Sequence, residues 1–167
     1  VSTIIETLSG SRLFGSLDQD HLNVIADLCR GRSFKRGETV FTEGDNADEL
    51  YILSTGSIAL EMSIQPVPER PAVPTAVNVL TPGDCFGWSA LVAPYTYSLS
   101  GRCMANSTVL AIKGEILRDK MAADPALGYQ VMTMLATLAR RRLEETRLRL
   151  LSGLGIALLQ GEMETRG

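Results

Sequence analysis

The sequence holds one histidine, one tryptophan and three cysteines in 167 residues, and only 5% of it is aromatic. A single histidine, His21, has no partner for a histidine-based metal or haem site, and none for a nucleophile–base pair. It reads as a surface residue in the first turn of a helix. The cysteines, Cys29, Cys85 and Cys103, are odd in number and far apart. That argues against a disulfide framework and fits a reducing, cytoplasmic setting. No apolar run approaches the ~18 residues of a membrane span, and no signal peptide is visible. A net charge of −3 exerts no general pull on nucleic acid. There is no Walker motif, no dinucleotide-binding glycine motif leading into a helix, and no carboxylate pair in a pocket-like stretch. No enzymatic activity, catalytic residue, metal or cofactor is therefore expected. Val1 in place of Met reads as a processed or trimmed start.

What remains is an ordinary globular composition, 45% apolar and 21% charged, in a length suited to one domain with a sizeable core. Residues Thr3 to Leu8 fit a short helix. Asp18 is placed to cap a second, His21 to Cys29, which Gly31 would end. From Phe34 the pattern changes to short strands broken by Gly37, Gly44 and Gly56, with turn signals every ~8–12 residues, which predicts an all-β sandwich or barrel. Ile58, Leu60 and Met62 alternate with Ser57, Ala59 and Glu61 as a half-buried strand should. Pro66, Pro68, Pro71 and Pro74 predict an exposed loop, since each proline removes a ladder donor. Val77 to Leu80 is the next strand. Ser98 to Ala105 and Thr108 to Ile112 read as a hairpin across Asn106-Ser107, and Glu115 to Met121 as a short helix.

Asp124-Pro125 marks a helix start, a carboxylate cap followed by proline at the first helical position. The helix should run to about Leu151, roughly 40 Å at 1.5 Å per residue. Its apolar stripe is longer than a small β-domain can cover. Val131, Met132, Leu135, Leu138, Ala139, Arg142 and Leu143 are therefore expected at a subunit contact, most simply with the same helix of a second copy. Arg140, Arg141, Arg142, Arg147 and Arg149 form a basic band on it. Interleaved Glu144 and Glu145 make that band a solvated flank rather than a nucleic-acid grip. Beyond Ser152, Gly153 and Gly155 should weaken the helix, and too few residues follow for a helix-turn-helix.

The most informative stretch runs from Asp84 to Arg102. It opens on the turn Pro82-Gly83-Asp84 and places Trp88, Tyr95 and Tyr97 within ten residues of one another. Rings with a few polar groups can line a small-molecule pocket, or they can fill a core. The sequence Phe86-Gly87-Trp88-Ser89-Ala90-Leu91 resembles the phosphate-binding cassette of cyclic nucleotide-binding domains, the sensory half of Crp/Fnr-type regulators. That cassette reads Phe-Gly-Glu-x-Ala-Leu, with an Arg-x-Ala following. Upstream, Phe34-x-x-Gly37, Gly44-Asp45-x-Ala47, Tyr51-Ile52-Leu53 and Gly56-x-Ile58 resemble the β-roll of the same family, and the similarity spans roughly residues 13–150. The resemblance implies a mainly β fold, a double-stranded β-helix or jelly roll with flanking helices and a long C-terminal helix that dimerises. It divides the chain into N-terminal helices (1–31), β-roll (32–114), C-terminal helices including the dimerisation helix (115–151) and a tail (152–167).

In the family, the cassette glutamate holds a ribose hydroxyl and the arginine pairs with the cyclic phosphate. Here these positions carry Trp88 and Tyr97. Indole only donates, and a phenol offers one hydroxyl where arginine offers a fork of donors. Arg102 has opposite strand parity to Tyr97 and reaches a ligand only if Ser98 faces the pocket. An arginine of the long helix could replace the lost cation. Backbone amides from Gly87 to Ala90 could also hold an anion. The candidate ligand-contact set is Phe86, Gly87, Trp88, Ser89, Ala90, Tyr95, Tyr97, Ser98 and Arg102.

Three readings stay open: a non-catalytic sensor of a small nucleotide-like ligand other than cAMP, or of a cyclic nucleotide held weakly; a domain filled by its own rings that serves as a dimerising partner of an unidentified effector; and a fragment of a DNA-binding regulator. Cys85 and Cys103 flank the cassette, and buried core thiols are the simpler reading than a redox pair.

Overall fold

The computed structural model describes the backbone of residues 2–65, 68–69 and 71–164, and side chains from residue 3 to residue 152 within those limits. Two helices, α1 (Ser2–Ser9) and α2 (Gln19–Leu28), precede eight strands: β1 (Arg30–Phe34), β2 (Thr39–Phe41), β3 (Glu49–Thr55), β4 (Ile58–Ile64), β5 (Val73–Leu80), β6 (Cys85–Phe86), β7 (Ser100–Cys103) and β8 (Ser107–Lys113). A 3-10 turn, Trp88–Leu91, lies between β6 and β7, and α3 (Gly114–Ala123) and α4 (Pro125–Glu164) close the chain. The strands form two antiparallel sheets, ordered β1-β8-β3-β6 and β2-β7-β4-β5. Pairs β1–β8, β2–β7, β3–β6 and β4–β5 nest one inside the next. This is the expected jelly roll.

The two sheets differ in cover, and their sequences show it. Strand β3 is buried from Leu50 to Leu53 without alternation, and β8 from Val109 to Ile112. One face of this sheet looks into the roll and the other carries helices, so neither face tolerates a charge. Strand β4 begins buried at Ile58–Leu60 and ends exposed at Met62–Ile64. Its neighbour β5 is an edge strand and is exposed over Val73–Ala76. Pro74 lies in β5, opposite Ser63. An edge is where a strand can hold proline.

Both predicted caps form. The Asp18 carboxylate accepts from the His21 amide at 2.9 Å. Asp124 Oδ1 accepts from the Ala126 and Leu127 amides at 3.1 and 3.2 Å, with Pro125 next in the first turn. These bonds, that of Leu127 first, lower the Asp124 pKa. His21 is not a free surface residue. Its Nε2 lies 3.1 Å from Asp124 Oδ2 and its Nδ1 lies 3.0 Å from Asp18 Oδ2, so it ties α2 to the start of α4.

Besides the surface role of His21 and the loop position of Pro74, three local expectations fail. Gly31 does not end α2; Cys29 caps it, and Gly31 sits in β1 opposite Leu110. Strands β7 and β8 are not a hairpin, because the turn between them carries the chain from one sheet to the other. The last helix continues past Gly153 and Gly155 to Glu164. Each glycine costs about 1 kcal/mol against alanine in a helix, which weakens it without stopping it. Gly37, Gly44 and Gly56 do take positive φ, at 87°, 90° and 95°.

Candidate functional site

The cassette begins as predicted. Strand β6 ends at Phe86, and Gly87, at φ 70°, turns the chain into Trp88–Leu91. A Cβ at Gly87 would meet Tyr51 Cδ2 at 3.0 Å and the Glu49 carbonyl at 3.1 Å, so a side chain there would be crowded as well as strained in φ. Phe86 and Ala90 are fully buried. The Ala90 amide is spent on the Gly87 carbonyl at 3.1 Å.

Beyond the turn, the chamber inside the roll is nearly full. The Tyr97 ring stacks on Phe41 with centroids 4.1 Å apart and planes 17° from parallel. Tyr51 and Phe86 continue the cluster, 5.2 Å apart, with Tyr51 5.7 Å from Phe41. Tyr97 is 5% exposed. Its hydroxyl donates to the Glu49 carbonyl at 2.6 Å and accepts from the Glu49 amide at 3.2 Å. Burial raises its pKa, so the ring stays a neutral phenol. The cavity left beside Phe41, Leu60, Gly87, Trp88, Ser89, Tyr97, Ser98, Leu99 and Arg142 is about 20 Å³. That is room for about one water, against the ~300–1,000 Å³ of an ordinary ligand pocket.

The structure brings together only part of the expected set. Gly87, Trp88, Ser89, Tyr97 and Ser98 line this remnant. Tyr95 does not: φ 58° at this residue accompanies a turn outward, and its ring lies under the Arg118 guanidinium at 4.2 Å. Arg118 also donates to the Ala90 carbonyl. Arg102 does not either. It points out of β7 and meets Glu61 on the neighbouring β4 at 3.2 Å, as its strand parity requires. Cys85 and Cys103 belong to different sheets, paired with Ile52 and Ile58. Burial pushes the Cys85 thiol up to about 12 and raises that of Cys103.

The residue that closes the chamber is Arg142. Expected at a subunit contact, it instead turns toward its own roll. Its guanidinium lies 4.3 Å from the centroid of the Trp88 ring, and Nη2 donates to the Cys85 carbonyl at 3.1 Å. Desolvation lowers its pKa, and the neighbouring Cys85 and Asp84 oppose that shift. Of the other residues expected between subunits, Val131, Leu135 and Leu138 pack on the chain's own core. Met132, Ala139 and Leu143 face outward. The helix thus has two stripes, one spent internally and one open. The open stripe, Tyr129-Met132-Ala136-Ala139-Leu143-Leu150, keeps heptad spacing. The sequence signal for the split is the offset between these two sets. The sequence offers an arginine of this helix as a replacement cation without saying which of them would turn inward.

The family described as the cyclic nucleotide-binding domain matches residues 31–124, more than half of the chain. The chain belongs to that family. Among its curated relatives, the CRP-like cAMP-activated global transcriptional regulator of Mycobacterium tuberculosis is 26% identical over 139 residues, covering 81% of this chain and 58% of that protein. The cyclic AMP receptor protein of Thermus thermophilus is 25% identical over 143 residues, covering 86% and 62%. The chain therefore spans less than two-thirds of these relatives. A solved structure from Geobacter metallireducens, assigned to cyclic nucleotide binding, aligns with a TM-score of 0.71 at 33% identity, covering 83% of this chain and 96% of that one. This domain is of the Crp/Fnr type, and its β-roll and long C-terminal helix are the family's. Among the described residues, no helix is long and apolar enough to cross a membrane, and no histidine, cysteine or carboxylate cluster could hold a metal ion.

Proposed function

We propose that this domain is a regulatory module whose nucleotide chamber is occupied by its own side chains, and that it acts by presenting α4 to a second copy without a cyclic nucleotide. The observation that carries this reading is Tyr97, which stands at the cassette arginine position and is stacked on Phe41 with its hydroxyl committed to the Glu49 backbone. A cyclic nucleotide would have to expel this ring and place its charge where no cassette arginine waits.

The rival reading, a ligand stacked on Trp88, Tyr95 or Tyr97, meets a consistent obstacle. One face of each ring is already covered, by Arg142, Arg118 and Phe41 respectively. A DNA-contacting role for the α4 arginines is also poorly supported. Arg140 and Arg141 pair with Glu144 and Glu145 one turn on, and Arg142 faces the roll.

The test is calorimetric titration of the native chain with cAMP and cGMP. No saturable heat is expected up to about 1 mM ligand, and micromolar binding would overturn the reading. The dimer is tested by sedimentation equilibrium. Met132→Glu with Leu143→Glu should convert a dimer to a folded monomer, because both side chains lie on the open stripe. A native chain that sediments as a monomer at about 100 μM would remove this part of the proposal.

A further inference from the structure

A second cavity lies outside the roll, between α4 and the stretch of chain from β5 to β6. It is about 230 Å³, over ten times the chamber remnant, and Arg12, Asn78, Thr81, Asp84, Arg141, Arg142, Glu145 and Arg149 supply its polar lining. Four guanidiniums face two carboxylates, so the lining carries two surplus positive charges.

The carboxylates are already engaged. Asp84 Oδ1 pairs with Arg12 Nη1 at 2.9 Å, and Oδ2 accepts from the Thr81 amide at 2.9 Å and hydroxyl at 3.2 Å. Glu145 Oε1 pairs with Arg141 Nε at 3.2 Å. The two arginines left over, Arg142 and Arg149, have no ion pair among the described residues. Each donates to a backbone carbonyl, of Cys85 and Val77 respectively. A guanidinium has five donors, so most of theirs remain. Asn78 Oδ1 accepts from the Val79 amide at 2.9 Å, which leaves its NH₂ as a further donor. The uncommitted polar capacity of the wall is thus mainly donors, with two unmatched positive charges.

We propose that this cavity binds a phosphorylated small molecule through a phosphate monoester dianion held between Arg142 and Arg149. A monoester carries about two negative charges at neutral pH and three acceptor oxygens, which match the surplus and the donors. A carboxylate or a cyclic phosphodiester carries one charge. The cavity is large enough for more than the bare ion, and its place against α4 favours a small molecule over a folded partner. Because Arg142 and Arg149 both tie α4 to the roll, the ligand would strengthen that tie. The site adjoins the chamber and shares Arg142 with it, and its test uses different ligands and a residue, Arg149, that does not line the chamber remnant.

The experiment titrates the whole chain at constant ionic strength with ribose 5-phosphate, inorganic phosphate and sodium chloride, read by phosphorus NMR line width and by thermal shift. Ribose 5-phosphate should bind saturably and more tightly than inorganic phosphate. Arg149→Gln should weaken it at least tenfold, a change of about 1.4 kcal/mol. Arg147→Gln, on α4 outside the cavity lining, should leave binding unchanged. Three results would each overturn the proposal: no saturable response to either phosphate probe by about 10 mM, ribose 5-phosphate no tighter than inorganic phosphate, or equal affinity in native chain and Arg149→Gln.

Discussion

The chamber inside the roll and the groove beneath α4 share a wall, Arg142, and are otherwise opposites. The chamber is apolar, ring-filled and about 20 Å³; the groove is polar, arginine-rich and about 230 Å³. In the chamber the Tyr97 hydroxyl is fully engaged by the Glu49 backbone. In the groove two guanidiniums lack an opposite charge. A site that has lost its charged anchors can be closed by rings at a gain in packing. A site that keeps unpaired cations stays open because closing it would desolvate them. What a domain of this family retains is therefore read better from the partners of its charges than from the cassette alone.

The largest test of the contrast is Tyr97→Ala. Removing a large buried ring should destabilise the fold by about 3–5 kcal/mol in denaturant unfolding, and should open the chamber. A loss under about 1 kcal/mol would mean that the ring is not part of the core. Arg142→Gln comes next, since it loses the contact with Trp88 and weakens the bond to the Cys85 carbonyl. A loss of about 1–3 kcal/mol is expected in the same assay.

Tyr97→Phe should cost about 1 kcal/mol through the hydroxyl alone, and it also changes the alkaline limb. The native Tyr97 pKa is raised above 10.0, so its neutral form stabilises the fold below that pH. The stability is lost as pH rises from 10.0 through the native value, because the unfolded phenol ionises first. Ultraviolet titration should therefore show late-ionising tyrosines, one fewer in Tyr97→Phe. Tyr51, also raised by burial, remains among the late ones in both proteins. The smallest effect belongs to Arg102→Gln, whose pair with Glu61 is half exposed. Its change should stay within about 1 kcal/mol and leave the chamber untouched.

Much of the architecture could be read before the structure, and particular residues show why. Asp18 and Asp124-Pro125 work through neighbours two or three positions away, so their caps are local facts. The unbroken apolar run Leu50–Leu53 lies in a strand buried along that whole stretch, which periodicity alone does not distinguish from a buried helix turn. The hairpin misreading at Asn106-Ser107 has the opposite cause. A turn looks alike whether it folds a strand onto its neighbour or carries it to another sheet, and here the Asn106 side chain is spent on the Arg36 amide at 3.0 Å. The candidate site was legible as a cassette whose anchors were replaced. Its filling was one of the open readings and could not be chosen from sequence, because Phe41 and Tyr97 meet only through the fold. Arg142 was expected at a subunit contact, with an inward-facing arginine of the same helix as the alternative, and periodicity could not choose between them because it places a residue on a face without saying what lies opposite.

The nested pairing of strands sets the order in which the domain can assemble. Arg30 lies opposite Ala111, and Thr39 opposite Arg102. As the chain leaves the ribosome, β1 and β2 wait without neighbours until most of the roll has been made. Local contacts cannot start them, so long loops must close first and folding should be slow for a domain of this size. During that wait the apolar side chains of β3 are open to the wrong partners. A release series arrested at increasing lengths should gain protease resistance abruptly, once β8 has emerged, rather than strand by strand.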